Sequence, residues 1–148
     1  DDVYDVYGTL EELQLFCDCF ERWDIEAVDQ LPHYMKICFL AINNFVNEMA
    51  YDVLKEQGFL IIPHLRKMWA YLCVGYFQEA KWYYDKYIPT MEEYINNACI
   101  SISTHLILSN TYSLVTNPIE DEVVQNFYKD HDVVRCSAVI LRLHNDLG

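Results

Sequence analysis

Apolar residues recur along the chain at the three- and four-residue spacing of amphipathic helices. The first clear stripe contains Leu10, Leu13, Phe16, Cys17 and Phe20. Thr9 and Glu12 precede and open this stripe with the spacing of a capping box, in which each side chain accepts a hydrogen bond from the other residue's backbone N–H. We therefore predict a helix that begins after Thr9 and buries this apolar face.

Proline and glycine divide the next part of the chain into two long helices. Pro32 suits the first position of a helix that would run to Gly58, a residue type common just after a helix C-terminus. Its apolar stripe contains Met35, Phe39, Ile42, Val46, Met49, Ala50 and Val53. Pro63 would open the following helix, which runs towards Tyr87 and is stopped by Pro89. Its stripe contains Leu65, Met68, Trp69, Leu72, Tyr76 and Tyr83.

Residues 94–119 contain no Asp, Glu, Lys or Arg. Thr90 and Glu93 form a second capping box in front of this uncharged helix, and Asn117-Pro118 would terminate it and start the next helix. Polar side chains interrupt the run, which favours a buried helix over a membrane span. Hydroxyl and β-branched residues at 101–104 lower helix propensity, so a kink is expected there. Because no period-two run indicates a strand, we predict an all-α fold.

The composition is that of one globular domain, with 148 residues, 53% of them hydrophobic and 15% aromatic. The formal charge of −13 repels nucleic acid and anionic membranes, so an anionic ligand must be held by metal ions or by single arginines. The six cysteines form no Cys-x-x-Cys pair, which indicates reduced thiols in an intracellular compartment. We therefore expect neither a nucleic-acid partner nor a membrane span.

Two clusters of oxygen-bearing side chains lie at opposite ends of the chain. The first is Asp1-Asp2-Val3-Tyr4-Asp5, in a helix expected to end near Gly8. On a helix, Asp1 and Asp5 would share one face with Cβ atoms about 6 Å apart. Paired carboxylates suit Mg²⁺, although a solvated face or a favourable charge near a helix N-terminus is the simpler interpretation of this cluster alone.

The second cluster occupies residues 141–148, Leu-Arg-Leu-His-Asn-Asp-Leu-Gly. Together the two ends resemble the class I terpene synthases of plants. The first cluster matches the DDxxD motif of that family, and Asn145-Asp146-Leu147 matches the opening of its (N/D)D-(L/I/V)-x-(S/T)-x-x-x-E motif on the opposite wall of the active site. Five stretches between them are similar to stretches common in the family: YGTLEEL from residue 7, ERWD from 21, LPHYMK from 31, NEMAYD from 47 and QEAKWY from 78.

The resemblance implies the fold and the architecture. The fold would be the all-α helical bundle of a class I terpenoid synthase, present in part. Residues 1–148 would be the central part of the metal-binding catalytic α domain, truncated at both ends because the chain starts inside one motif and stops inside another. The excerpt alone is therefore expected to be inactive, and the parent protein is expected to be a monomeric enzyme.

The resemblance also implies a chemistry and a set of site residues. The parent would ionise an allylic prenyl diphosphate, most simply geranyl diphosphate, and convert the carbocation to a monoterpene. Asp1 and Asp5 would bind Mg²⁺ or Mn²⁺ on one wall and Asn145 on the other, while Arg142 would hydrogen-bond the departing diphosphate. Asp2 would orient an arginine or a metal-bound water. His144 and Asp146 would point elsewhere on the helix of Arg142.

Three alternatives remain open at this point. A sesquiterpene synthase would use farnesyl diphosphate and be cytoplasmic, whereas a monoterpene synthase would be plastidial. A trans-prenyltransferase would share the fold, but it normally carries aspartate-rich motifs on both walls, and Asn145-Asp146-Leu147-Gly148 is not one. A non-catalytic helical interaction domain would leave both end clusters solvated, with Arg142 in a surface ion pair.

Overall fold

The computed structural model describes residues 3–4, 8–127 and 132–148, and this part of the chain is helical with no strand. The described ranges contain seven α-helices in this order: α1 (Leu10–Arg22), α2 (His33–Gln57), α3 (Ile62–Asp85), α4 (Met91–Ser101), α5 (Thr104–Val115), α6 (Asp121–Asn126) and α7 (Asp132–Leu147). A 3₁₀ turn, Ala27–Gln30, lies between α1 and α2. The predicted all-α fold is confirmed. Across these described ranges, every helix is too short or too polar to cross a membrane.

Both predicted capping boxes are present. Thr9 N–H donates to Glu12 Oε2 at 3.0 Å, and Glu12 N–H donates to Thr9 Oγ1 at 3.3 Å, at the start of α1. Thr90 and Glu93 repeat the arrangement at the start of α4, with distances of 2.8 and 3.3 Å. Each box satisfies backbone donors that have no partner inside the helix. The starts of these two helices are therefore determined locally.

The predicted start of α2 and the predicted end of α3 need correction. Helix α2 begins at His33, so that Pro32 is the residue before the helix, whereas its end at Gly58 is as predicted. Helix α3 ends at Asp85, before Pro89, because Lys86 adopts a left-handed conformation with φ of 54°. The backbone N–H of residue 87 then reaches the carbonyl of Trp82 at 2.9 Å, which completes a Schellman motif.

Helix α3 lies at the centre of the bundle and contacts α1, α2, α4 and α5, while α7 contacts α4 and α5. The last buried residue of α3 is Ala80. Tyr83, which was predicted to continue the apolar stripe, is 80% exposed, because the last turn of α3 extends past the core. The side chains that are completely buried include Leu13, Phe20, Met35, Phe39, Ile61, Leu65 and Met68. Most of them come from the predicted stripes of the first three helices.

The uncharged segment forms two helices instead of one. Helix α4 ends at Ser101 and α5 begins at Thr104, and between them Ser103 has a left-handed φ of 66°. The predicted kink is thus a complete break. Helix α5 ends at Val115, before the predicted terminator at residues 117–118, and α6 does not begin until Asp121.

Gly75 allows α3 to approach this break closely. A Cβ atom at residue 75 would lie 2.8 Å from Ile100 Cγ2 and 3.2 Å from the backbone nitrogen of Ser101. The carbonyl of Gly75 also accepts a hydrogen bond from the buried Asn97 side chain at 2.9 Å. Since an added methyl group would push against helix backbone, the two helices would have to separate.

We therefore expect Gly75→Ala to lower the free energy of unfolding by about 1–3 kcal/mol, the usual cost of overpacking. The measurement is the thermal midpoint of the full-length protein that contains this chain. Val74→Ala is the matched control, because Val74 is the neighbouring residue on the exposed face of the same helix. An unchanged midpoint for Gly75→Ala would contradict the close approach of α3 and α4.

Candidate active site

The break between α4 and α5 opens a cavity of about 340 Å³. Three parts of the fold line it: α3 through Tyr76 and Glu79, the break through residues 101–103, and α7 through Arg142 and Asn145. The two predicted site residues of α7 therefore lie at one cavity. They share a helix face because they are three residues apart, and the packing of α7 on α4 and α5 directs that face towards the break.

Arg142 is held by a hydrogen bond and an ion pair. Its Nε donates to Tyr94 Oη at 2.8 Å and lies 2.9 Å from Asp146 Oδ1, with which it forms an ion pair. The Tyr94 hydroxyl in turn donates to Asp146 Oδ2 at 2.5 Å. The carbon at the centre of the guanidinium also lies 5.3 Å from the centroid of the Tyr94 ring, within range of a cation–π contact.

This environment favours a charged arginine and a neutral tyrosine. Burial opposes the charge of Arg142, but the hydrogen bond with Tyr94 and the nearby carboxylates of Glu79 and Asp146 outweigh it and raise the arginine pKa. Burial and the hydrogen bond to Asp146 raise the pKa of Tyr94, against a smaller opposing effect of Arg142. The tyrosine hydroxyl therefore keeps its proton and remains a donor at neutral pH.

The sequence led us to expect that Asp146 points away from Arg142, and this expectation is wrong. The two residues are four apart on α7, so the carboxylate lies one turn beyond the arginine on the same face and bonds to it directly. The Arg142 side chain is 20% exposed, which makes this a partly buried ion pair and not a surface pair. His144 does point elsewhere, since it lines a separate apolar cavity between α5 and α7.

Sequence reasoning assigned no role to Glu79, which lies on the other side of the arginine. Its Oε1 is 3.9 Å from Arg142 Nη1 and accepts a 2.6 Å hydrogen bond from the Ser101 hydroxyl. A signal was present, because Glu79 follows Leu72 and Tyr76 at helical spacing along the buried stripe of α3. Tyr94 offered no comparable signal among twelve tyrosines.

A serine and a histidine also meet in the core, away from this cavity. His64 Nε2 lies 2.6 Å from Ser109 Oγ. Both side chains are buried, and burial lowers the pKa of His64 to about 4. Because a substrate cannot reach either group, the pair is a hydrogen bond of the core and not a nucleophilic site.

The family model for the metal-binding domain of terpene synthases matches residues 1–148. The chain belongs to the terpene synthase family. Among curated terpene synthases, a chloroplastic linalool synthase of Coffea arabica and a (-)-alpha-terpineol synthase of Vitis vinifera are each 57% identical to it over all 148 residues. The match covers 26% and 25% of those two proteins, so the chain spans about a quarter of their length.

Solved terpene synthases share the fold as well as the sequence. The match with isoprene synthase from grey poplar covers 99% of this chain and 28% of the isoprene synthase chain, with a TM-score of 0.95 and 51% identity. The match with limonene synthase, which was solved with 2-fluorolinalyl diphosphate, covers 99% of this chain and 27% of the limonene synthase chain. Its TM-score is 0.96 and the identity is 50%. The expected class I terpenoid synthase fold is confirmed.

The terpene synthase domain matched here is a metal-binding one, and two of the predicted ligands, Asp1 and Asp5, lie outside the described residues together with Asp2. Among the residues that the structure does describe, no three His, Cys, Asp or Glu side chains gather closely enough to hold a metal ion. Asn145 lines the cavity beside Arg142 and contributes an amide oxygen. Hard oxygen donors of this kind fit Mg²⁺ or Mn²⁺ in combination with carboxylates from another wall.

Proposed function

We propose that the protein containing this chain is a plastidial monoterpene synthase that acts as a monomer on geranyl diphosphate, with Mg²⁺ or Mn²⁺ as cofactor. Residues 1–148 would form the central part of its metal-binding catalytic α domain. The observation that carries the proposal is an arginine fixed in a cavity at a helix break, in a chain whose net charge of −13 would otherwise repel a diphosphate.

The relatives support this choice of substrate class and compartment. The linalool synthase of Coffea arabica and the myrcene synthase of Quercus ilex, each 57% identical to the chain, are named as chloroplastic. Grey poplar isoprene synthase was solved with three Mg²⁺ ions and a dimethylallyl thiolodiphosphate. These relatives therefore support a prenyl diphosphate as the substrate, and Mg²⁺ as the cofactor, of the protein that contains this chain.

Each site residue has a distinct part in the proposed reaction. Asp1 and Asp5 on one wall and Asn145 on the other would hold the metal ions. Bound Mg²⁺ would supply Lewis-acid stabilisation of the charge that develops on the leaving diphosphate. Arg142 would donate from its Nη atoms to the same oxygens, in the forked geometry that suits phosphate. Tyr76 is the aromatic residue that lines the cavity beside Arg142 and Asn145, and an aromatic ring there would favour the allylic cation.

The test of this function is the choice between substrates of ten and fifteen carbons. We expect the full-length protein to show a higher kcat/KM for geranyl diphosphate than for farnesyl diphosphate, with a volatile monoterpene detected by gas chromatography. A single methylene changes binding in an apolar pocket by only about 1–3 kcal/mol, so some activity on the longer substrate is expected. A whole further isoprene unit, however, must strain a pocket shaped for ten carbons.

Three results would redirect the proposal. A clear preference for farnesyl diphosphate would make the protein a sesquiterpene synthase and would remove the argument for the plastid. Coupling of either substrate with isopentenyl diphosphate would make it a prenyltransferase. The absence of turnover with any prenyl diphosphate and metal would leave the helical interaction domain as the function.

A further inference from the structure

Arg142 stands between two carboxylates that belong to different helices. Oδ1 of Asp146 on α7 forms an ion pair with its Nε at 2.9 Å, whereas Oε1 of Glu79 on α3 lies 3.9 Å from its Nη1. The second distance is too long for a hydrogen bond. Asp146 therefore holds the guanidinium at close range, whereas Glu79 forms only a long ion pair with it.

The Tyr94 hydroxyl accounts for this difference between Asp146 and Glu79. It accepts from Arg142 Nε at 2.8 Å and donates to Asp146 Oδ2 at 2.5 Å, so it joins the cation to one of the two carboxylates. On the opposite side, Ser101 donates to Glu79 Oε1, the same oxygen that lies 3.9 Å from Arg142 Nη1, at 2.6 Å. Asp146 is thereby joined to the arginine and to Tyr94, whereas Glu79 is hydrogen-bonded to Ser101.

The consequence concerns which donors remain for an anion. An arginine carries five N–H groups, one on Nε and four on the two Nη atoms. Tyr94 accepts the single Nε–H, and within the described residues the four Nη donors make no hydrogen bond, although Nη1 lies 3.9 Å from Glu79. Arg142 lines the cavity, whereas Tyr94 lies in the first turn of α4 and is not among its lining residues. A ligand in the cavity would meet Arg142 and would not meet the Tyr94 hydroxyl.

We propose that Tyr94 is a positioning residue, which fixes Arg142 through Nε and Asp146 so that the two Nη atoms stay available to the substrate diphosphate and do not move from the long ion pair with Glu79 into a hydrogen bond with it. The inference rests on the proposed function, because it takes the ligand of Arg142 to be a diphosphate. Its physical basis is preorganisation. An arginine that is already fixed loses less side-chain freedom when it binds, and its long contact with Glu79 holds its Nη atoms less tightly than a hydrogen-bonded salt bridge would.

The test uses Tyr94→Phe in the full-length protein, which keeps the ring and its contact with the guanidinium and removes only the hydroxyl. The probe is inorganic pyrophosphate in the presence of Mg²⁺, titrated calorimetrically. We expect about a 5- to 20-fold loss of pyrophosphate affinity, a fraction of what a direct charged hydrogen bond contributes. A rise in KM for geranyl diphosphate is expected to accompany it. Tyr87→Phe is the matched control, because Tyr87 also donates to a carboxylate, Glu93 at 3.1 Å, but that pair is exposed and contains no arginine.

Two double variants separate positioning from a general structural effect. In an Arg142→Ala background, Tyr94→Phe is expected to cause no further loss of pyrophosphate affinity, since the residue it positions is gone. In a Glu79→Gln background, the loss caused by Tyr94→Phe is expected to shrink, since the competing carboxylate is neutral. Glutamine keeps an oxygen that can accept from Ser101, so the second variant preserves the 2.6 Å contact in kind.

Each outcome decides the matter. Wild-type pyrophosphate affinity in Tyr94→Phe would overturn the inference, as would an equal loss in the presence and absence of Arg142. In either case, turnover of geranyl diphosphate by the unaltered protein would leave the proposed function intact. If the unaltered protein neither turns over geranyl diphosphate nor binds pyrophosphate with Mg²⁺, the proposed function fails, and the role of Tyr94 fails with it.

Discussion

Replacing Asp1 or Asp5 by alanine in the full-length protein is expected to reduce turnover of geranyl diphosphate by about three orders of magnitude or more. Each substitution would remove an anionic metal ligand that faces the leaving group, and metal ions contribute several kcal/mol to stabilisation of such transition states. The measurement is kcat at saturating Mg²⁺, so that a weakened metal affinity alone cannot account for the loss.

The same experiment discriminates among the carboxylates of the motif. Asp2→Ala is expected to be milder than Asp1→Ala, because Asp2 would orient an arginine or a metal-bound water and not bind the ion itself. Asp52→Ala is a suitable control, since Asp52 is an exposed carboxylate of α2. If Asp5→Ala matched the unaltered protein at saturating Mg²⁺, the assignment of Asp5 as a metal ligand would be wrong.

Arg142→Ala is expected to lower kcat/KM for geranyl diphosphate by about 10²–10³-fold, the usual effect of removing one preorganised donor from a developing negative charge. Arg142→Lys should recover only part of the loss, because an ammonium group keeps the charge but lacks the planar fork that fits a phosphate. The measurement is steady-state kinetics with both variants, together with the thermal midpoint of each.

Arg22→Ala is the control for overall charge, because Arg22 lies in the last turn of α1 and does not line the cavity. If Arg22→Ala and Arg142→Ala lost activity equally, the effect would come from net charge and not from the position of Arg142. Loss of activity in Arg142→Ala with an unchanged thermal midpoint would assign the arginine to binding and catalysis and not to stability.

The strong negative charge of the chain explains why so few residues are expected to dominate. With 23 acidic and 10 basic residues, the average field repels a diphosphate, and attraction must be local. Around Arg142 the balance is still not favourable, since Glu79 and Asp146 both lie near it. Under the proposed function, the anion would therefore depend on metal ions for most of its neutralisation and on Arg142 for its orientation.

Local features of the sequence determined where several helices begin and end. Thr9 and Thr90 were identifiable as helix starts because a capping box involves residues only three apart and needs no distant partner. Gly58 was identifiable as an end because a left-handed residue without Cβ suits that position. Hydroxyl and β-branched side chains at residues 101–104 predicted a kink where the structure has a complete break, and the motif at Asn145 followed from a family pattern.

Only the tertiary structure decided how the cavity is organised. The Schellman motif that ends α3 at Asp85 uses Lys86 in a left-handed conformation, which its residue type does not indicate. The pairing of Tyr94 with Asp146 joins residues 52 positions apart, and that of Ser101 with Glu79 joins residues 22 apart. Hydrogen bonds of this kind depend on which helix faces meet. Such faces are set by the packing of whole helices, and no short stretch of sequence contains that information.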